Sequence, residues 1–131
     1  MAQSFATQDP FTGKTLASYA YQPYEAVLAE AAAVRSARSA WAAETPERRA
    51  ALVRAALGYF RDRAGPIAEE ITRQMGKPLA QSRGEIRGLL ERAEWLCDAA
   101  PSALAPEALP EKRGFHRRIE RVPLGTVLVI S

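Results

Sequence analysis

Only a few side chains in this sequence have the chemistry of a catalyst or a ligand. There is one thiol, Cys97, and one imidazole, His116. A single cysteine excludes an internal disulfide, and one cysteine with one histidine cannot assemble a structural zinc site. Cys97 is the one thiol available for nucleophilic work. Its plainer reading is that of a small apolar residue on a helix face, because it falls in the periodic run Ile86, Leu89, Leu90, Ala93, Leu96, Cys97, Ala100. Lys77 follows a helix-ending glycine as a phosphate-binding lysine does, yet Gly76-Lys77-Pro78 lacks the other glycines of a phosphate loop and reads as a corner between two helices. The basic stretch Lys112, Arg113, Arg117, Arg118 and Arg121, set against Glu111 and Glu120, has the charge to attract phosphates. Only Phe115 is present there to stack on a base, which favours a solvated strand face, with His116 exposed or at an interface. Trp41 and Trp95 each fall on an apolar stripe and are expected in the core rather than as ligand platforms.

Positioning these groups requires elements that the spacing of apolar residues lays out in order. Phe5 to Tyr21 alternates loosely and is interrupted by Asp9-Pro10-Phe11-Thr12-Gly13-Lys14, which predicts a β-hairpin over 5–21. Residues 24–100 form a helical segment of four helices. Val27, Ala31, Val34 and Trp41 mark the stripe of the first. Thr45-Pro46 supplies an N-cap and a first-turn proline for the second, whose stripe is Leu52, Val53, Ala56, Leu57 and Phe60. Gly65-Pro66 separates it from the third, which carries Ile67, Ile71 and Met75 and closes at Gly76. The fourth has the clearest periodicity and is expected to stop at Pro101. After a connector rich in proline, residues 115–122 alternate as a half-exposed strand, and Thr126 to Ile130 form an apolar run without alternation, of the kind covered on both faces.

Composition narrows the class further. At 47% hydrophobic and 25% charged, 131 residues make an ordinary globular protein with its own core. The net charge of +3 comes from 18 basic residues interleaved with 15 acidic ones. No charged start followed by an apolar stretch opens the chain, and no apolar run approaches the roughly 18 residues of a membrane span, so the expectation is a cytoplasmic protein without a membrane or nucleic-acid partner. The final run is the awkward part. An unpaired strand leaves backbone groups unsatisfied and offers an edge for aggregation, and nothing upstream is a continuous apolar strand able to lie parallel to it. The expectation is an incomplete chain whose sheet lies in residues absent here or in another chain.

Taken in order, Asp9-Pro10-Phe11-Thr12-Gly13-Lys14, Trp41 with Pro46-Glu47-Arg48-Arg49, Ile71-Thr72-Arg73-Gln74-Met75-Gly76-Lys77-Pro78 and Arg121-Val122-Pro123-Leu124-Gly125-Thr126-Val127 resemble the start of the aldehyde dehydrogenase superfamily. The Met-Gly-Lys-Pro and Val-Pro-Leu-Gly-Thr-Val segments carry most of the resemblance. The family usually has asparagine where Asp9 stands, a small departure at a turn position. The resemblance implies an α/β aldehyde dehydrogenase fold of which this chain is the N-terminal part only: the β-hairpin, four helices, one oligomerisation-type strand over 115–122 and, over 125–131, the first strand of the cofactor sheet.

The same resemblance implies NAD or NADP as cofactor, with Ile130 and Ser131 at the lip of its site making a backbone contact, and a homodimer or homotetramer for the complete enzyme. The chemistry implied is thiolate attack on an aldehyde, hydride transfer to the nicotinamide and hydrolysis of a thioester by water activated by a glutamate. The family's catalytic residues lie beyond Ser131, so no residue here is expected to be catalytic, Cys97 included, and the isolated chain is expected to be inactive. Glu85 sits near where some members place a carboxylate associated with a monovalent cation, and a solvated helical glutamate is the preferred reading. The Ile71–Pro78 stretch, Leu96-Cys97-Asp98 and Pro-Leu-Gly-Thr are most similar to members that oxidise succinate semialdehyde. Two other readings stay open behind this one: a helical protein-interaction module without an active site, which does not explain Val127 to Ile130, and a weak nucleic-acid binder using Lys112 to Arg121, which a steep loss of binding with salt would support.

Overall fold

The structure is a computed structural model, and it describes residues 3–130. In chain order the elements are β1 (Ser4–Gln8), β2 (Thr15–Ala20), α1 (Tyr24–Ala43), α2 (Pro46–Asp62), α3 (Ala64–Met75), α4 (Leu79–Ala103), β3 (Glu107–Ala108) and β4 (Arg118–Ile119). β1 and β2 are an antiparallel hairpin, with Ser4 opposite Ala20 and a one-residue irregularity between Thr7 and Gln8. The Asp9 carboxylate closes its turn by accepting from the backbone N–H of Phe11 at 2.8 Å and of Thr12 at 3.1 Å. Those two donated hydrogen bonds stabilise the charged form and hold the Asp9 carboxyl below its ordinary range.

The helical boundaries follow from local chemistry. Thr45 Oγ1 accepts from Arg48 N at 3.2 Å and caps α2, with Pro46 in the first turn, where its missing N–H costs nothing. The break between α2 and α3 falls at Arg63, with φ −113° and ψ 17°, and not at Gly65-Pro66; that dipeptide fits inside the first turn of α3, whose N–H groups have no intrahelical partner in any case. Gly76 ends α3 in the left-handed region at φ 70°, its N–H bonded to Thr72 O at 2.9 Å. A Cβ at Gly76 would lie 2.8 Å from Pro10 Cγ, so glycine is required twice over, and the hairpin turn rests on this corner. Pro101 does not stop α4, contrary to expectation. The helix runs through it to Ala103: the proline forfeits the one hydrogen bond it would have donated to Cys97 O, and the ladder resumes beyond it with Leu104 N donating to Ala100 O at 2.9 Å.

α4 is the spine of the packed region, with α2 and α3 laid along it. Ala50 and Leu57 of α2, Ala68 of α3 and Ile86 and Cys97 of α4 are buried between them. Ser82 is fully buried too, its hydroxyl sharing a hydrogen bond with Thr72 Oγ1 at 2.9 Å. Arg54 and Arg61 of α2 pair with Glu94 of α4, Arg54 through a 3.1 Å contact, and Arg54 also reaches Asp98.

α1 differs: it has no buried residue, and the stripe of Val27, Val34 and Trp41 is exposed. Trp41 and Trp95 are therefore not in a core, against expectation; Trp95 is 66% exposed. The chain's accessible surface is 11006 Å², where a compact monomer of 14.3 kDa exposes roughly 6,800 Å². The apolar stripe of α1, together with Leu89, Trp95 and Leu96 of α4, contributes to this excess, having no neighbour to cover it among the described residues.

In the carboxyl-terminal region the predicted strands find few partners among the described residues. The strand predicted over 115–122 is reduced to Arg118–Ile119, which pairs with Glu107–Ala108. Of the strand predicted over 125–131, residues 125–130 join no ladder, and Ser131 lies outside the described residues. A strand is defined by its neighbour, and an apolar run of β-branched residues without one cannot make ladder bonds however high its propensity.

Candidate functional site

The lone thiol has no catalytic setting. Cys97 is 5% exposed and sits at the floor of an apolar groove of 290 Å³ between α2 and α4, with Pro46, Ala50, Val53, Ala100 and Leu104 around it. Among the described residues no histidine or carboxylate lines that groove. His116, the only imidazole in the sequence, is exposed on the carboxyl-terminal region beyond α4. Without a base to generate thiolate, Cys97 packs as the small apolar residue that its helical spacing predicts. Among the described residues no three or more His, Cys, Asp or Glu side chains are grouped to hold a metal ion.

Lys77 and Glu85 meet across the α3–α4 corner as an ion pair. The hydrogen bond from Lys77, with its charge, holds the Glu85 carboxyl below the usual carboxylate range, and Arg92 adds a smaller push. Glu85 is exposed on the helix, as expected, and Lys77 is spent on it rather than presented to a phosphate.

The basic stretch is also largely spent on its own surroundings. Arg117 donates to Pro110 O at 2.6 Å, Arg118 pairs with Glu120 at 2.5 Å, and Arg121 donates to Ala105 O at 2.9 Å and pairs with Glu107 at 3.6 Å. The Lys112 ammonium lies 5.3 Å from the centre of the Phe115 ring. These arginines fasten the connector and β4 together, and the one aromatic ring nearby is occupied.

A further cleft, of 350 Å³, lies between α1 and the segment that follows β4, lined by Val34, Arg38, Trp41, Pro123, Gly125 and Val127 among others. From it residues 126–130 lead away in exposed chain, ending at Ile130, 88% exposed. Ile130 joins no ladder among the described residues. A dinucleotide cradle needs backbone N–H groups at a glycine-rich turn into a helix, and no such turn adjoins Ile130 among the described residues. Sequence reasoning missed Arg38 and gave Gly125 no role of its own; the signal was a glycine after Pro123-Leu124, where a left-handed backbone was to be looked for.

The profile of the aldehyde dehydrogenase family matches residues 1–131, and this chain belongs to that family. Over 127 residues it is 29% identical to a succinate-semialdehyde dehydrogenase (NADP+) of Deinococcus radiodurans, covering 97% of this chain and 26% of that protein. It is likewise 29% identical over 127 residues to a malonate-semialdehyde dehydrogenase of Bacillus cytotoxicus, covering 96% of this chain and 26% of the relative. Among solved structures, the succinate-semialdehyde dehydrogenase of Burkholderia pseudomallei superimposes with a TM-score of 0.75 at 27% identity, over 83% of this chain and 22% of that one. The chain spans about a quarter of the length of the curated relatives it matches. Its hairpin, four helices and short strand pairs are the amino-terminal part of the aldehyde dehydrogenase fold.

Proposed function

We propose that this chain forms the amino-terminal layer of an NAD(P)-dependent dehydrogenase that oxidises an aldehyde, of the succinate-semialdehyde class, to its acid through a cysteine thioester. The observation that carries the reading is the family match along the whole chain, together with semialdehyde dehydrogenases among its relatives. When bound, the nicotinamide accepts the hydride. This chain's own part is architectural: α2, α3 and α4 build a packed base, β3 and β4 belong to the element through which subunits meet as dimer or tetramer, and residues 125–131 run as the first strand of the cofactor sheet. Ile130 and Ser131 contribute backbone at the cofactor lip, and the nucleophile and the glutamate that activates water come from outside these 131 residues. The working compartment is the cytoplasm; no helix of the described residues is long and apolar enough to cross a membrane. Self-pairing of Arg117, Arg118 and Arg121 supports the absence of a nucleic-acid partner.

The test is to read the coding DNA past the codon for Ser131, express whatever longer product it encodes, and follow NAD(P)H formation with succinate semialdehyde, malonate semialdehyde and a simple aldehyde. Turnover that survives Cys97→Ala supports the reading. A longer product that folds yet reduces neither cofactor with any of these aldehydes breaks it, and a turnover abolished by Cys97→Ala would move the nucleophile into this chain.

A further inference from the structure

Between Ser102 and Ile130 every residue is exposed except Gly125. What covers it is Arg38 of α1: a Cβ built on Gly125 would stand 3.4 Å from Cζ and from Nε of that arginine and 3.7 Å from Nη1. Three atoms at nearly equal range mean that the guanidinium lies broadside over the glycine rather than end-on. Gly125 has φ +109°, a conformation that side-chain-bearing L residues rarely adopt, so the position needs glycine for its backbone, while Arg38 packs on it at van der Waals range. Arg38 forms no ion pair among the described residues. Its planar, weakly hydrated group is used here for packing on main chain, a role that the compact ammonium of lysine fills poorly.

We propose that Arg38 is a positioning residue: laid on Gly125, it pins the outgoing segment to α1 and thereby sets the place and direction of residues 126–130. Neighbouring contacts share the work only loosely, since Pro123, Thr126 and Val127 line the same cleft but remain exposed. What the pin is for rests on the proposed function, in which that segment delivers Ile130 to the cofactor lip; the pin itself rests on the packing of Arg38 against Gly125.

The test uses the 131-residue chain without cofactor. Trp41 lines the cleft and reports its closure, and Trp95→Phe removes the other tryptophan. In that background Arg38→Ala, Arg38→Lys, Gly125→Ala and the double variant Arg38→Ala with Gly125→Ala are compared by acrylamide quenching of Trp41, with far-UV circular dichroism to verify that the helices persist. Alanine is at least as good a helix former as arginine, so a merely structural role in α1 predicts no change. The pin predicts that Arg38→Ala and Gly125→Ala each raise the quenching constant about twofold and that the double variant goes no further, the signature of two residues acting as one unit. Arg38→Lys should recover less than half of the effect. Unchanged quenching in Arg38→Ala with intact helices, or full additivity in the double variant, would overturn the proposal. Neither result depends on the enzyme reading, which stands or falls on turnover of the longer product.

Discussion

The two halves of the helical region bear the same kind of sequence and meet different fates. α2, α3 and α4 close on one another, so Leu57 and Ile86 are 4% and 5% exposed. α1 has a comparable apolar stripe and buries none of it, leaving Val34 at 54%. Periodicity says that a face is made for covering; it does not say by what, and the covering is where the stability resides. The segment from Pro123 to Ile130 belongs with α1: Gly125 lies against Arg38, and the rest of the segment is exposed.

The largest effects should therefore separate the halves. Leu57→Ala and Ile86→Ala each delete a buried aliphatic group and should lower the urea-unfolding free energy by about 2–4 kcal/mol. Val34→Ala and Val127→Ala each remove two carbons from exposed positions and should stay within about 0.5 kcal/mol. If Val34→Ala proved as costly as Leu57→Ala, α1 would be part of the same cooperative unit and the contrast would fail.

A smaller effect sharpens the picture of the packed half. Ser82→Ala leaves the Thr72 hydroxyl without its partner in a part-buried position, at a cost of about 1–2 kcal/mol. Adding Thr72→Val, which removes the orphaned group, should restore part of that loss, whereas a further loss would mean that the hydroxyl has found another partner. Smaller again, Thr45→Ala removes the cap of α2, and about 1 kcal/mol should disappear from the same transition. No loss there would mean that the α1–α2 joint frays independently of the packed helices.

How much of this was legible in the sequence depends on whether a feature is local. The Asp9 turn, the Thr45-Pro46 start of α2, the Gly76 end of α3 and the apolar setting of Cys97 are written within a few residues of themselves, and each can be read without knowing the fold. The stop at Pro101 was misplaced because a proline near a helix end breaks a single link, to Cys97 O, and the turn closes beyond it through Leu104 N and Ala100 O. The strands over 115–122 and 125–131 depend on partners that lie elsewhere, so of the first only Arg118–Ile119 is seen in a ladder among the described residues. Trp41 and Trp95 illustrate the same limit: a tryptophan on a stripe is poised for burial, and only a neighbour makes it core. For the candidate site, the family resemblance directed attention to Ile130 and Ser131, while the contact of Arg38 with Gly125 spans 87 positions and left no local trace beyond the glycine.

The hairpin decides which half it sides with, and its pH response is the most delicate way to ask. Its turn rests on the α3 corner through Pro10 and Gly76, which allies it with the packed helices. The Asp9 carboxyl is held below its ordinary value by the N–H groups of Phe11 and Thr12, so the turn gains from the charge at any pH above the unfolded value near 3.9, and that gain is lost as pH falls through the depressed folded value. The Phe11 and Thr12 amide resonances should consequently titrate with a midpoint below that of an unstructured aspartate. Asp9→Asn keeps an oxygen acceptor in the same place and abolishes the titration, and asparagine is the residue that the family usually has there. Asp9→Ala removes the acceptor at every pH and should loosen the turn. If acid protonation of Asp9 also shifts the Gly76 amide, the hairpin and the α3 corner move as one; if Gly76 is silent while Phe11 and Thr12 respond, the hairpin joins α1 among the parts that await a neighbour.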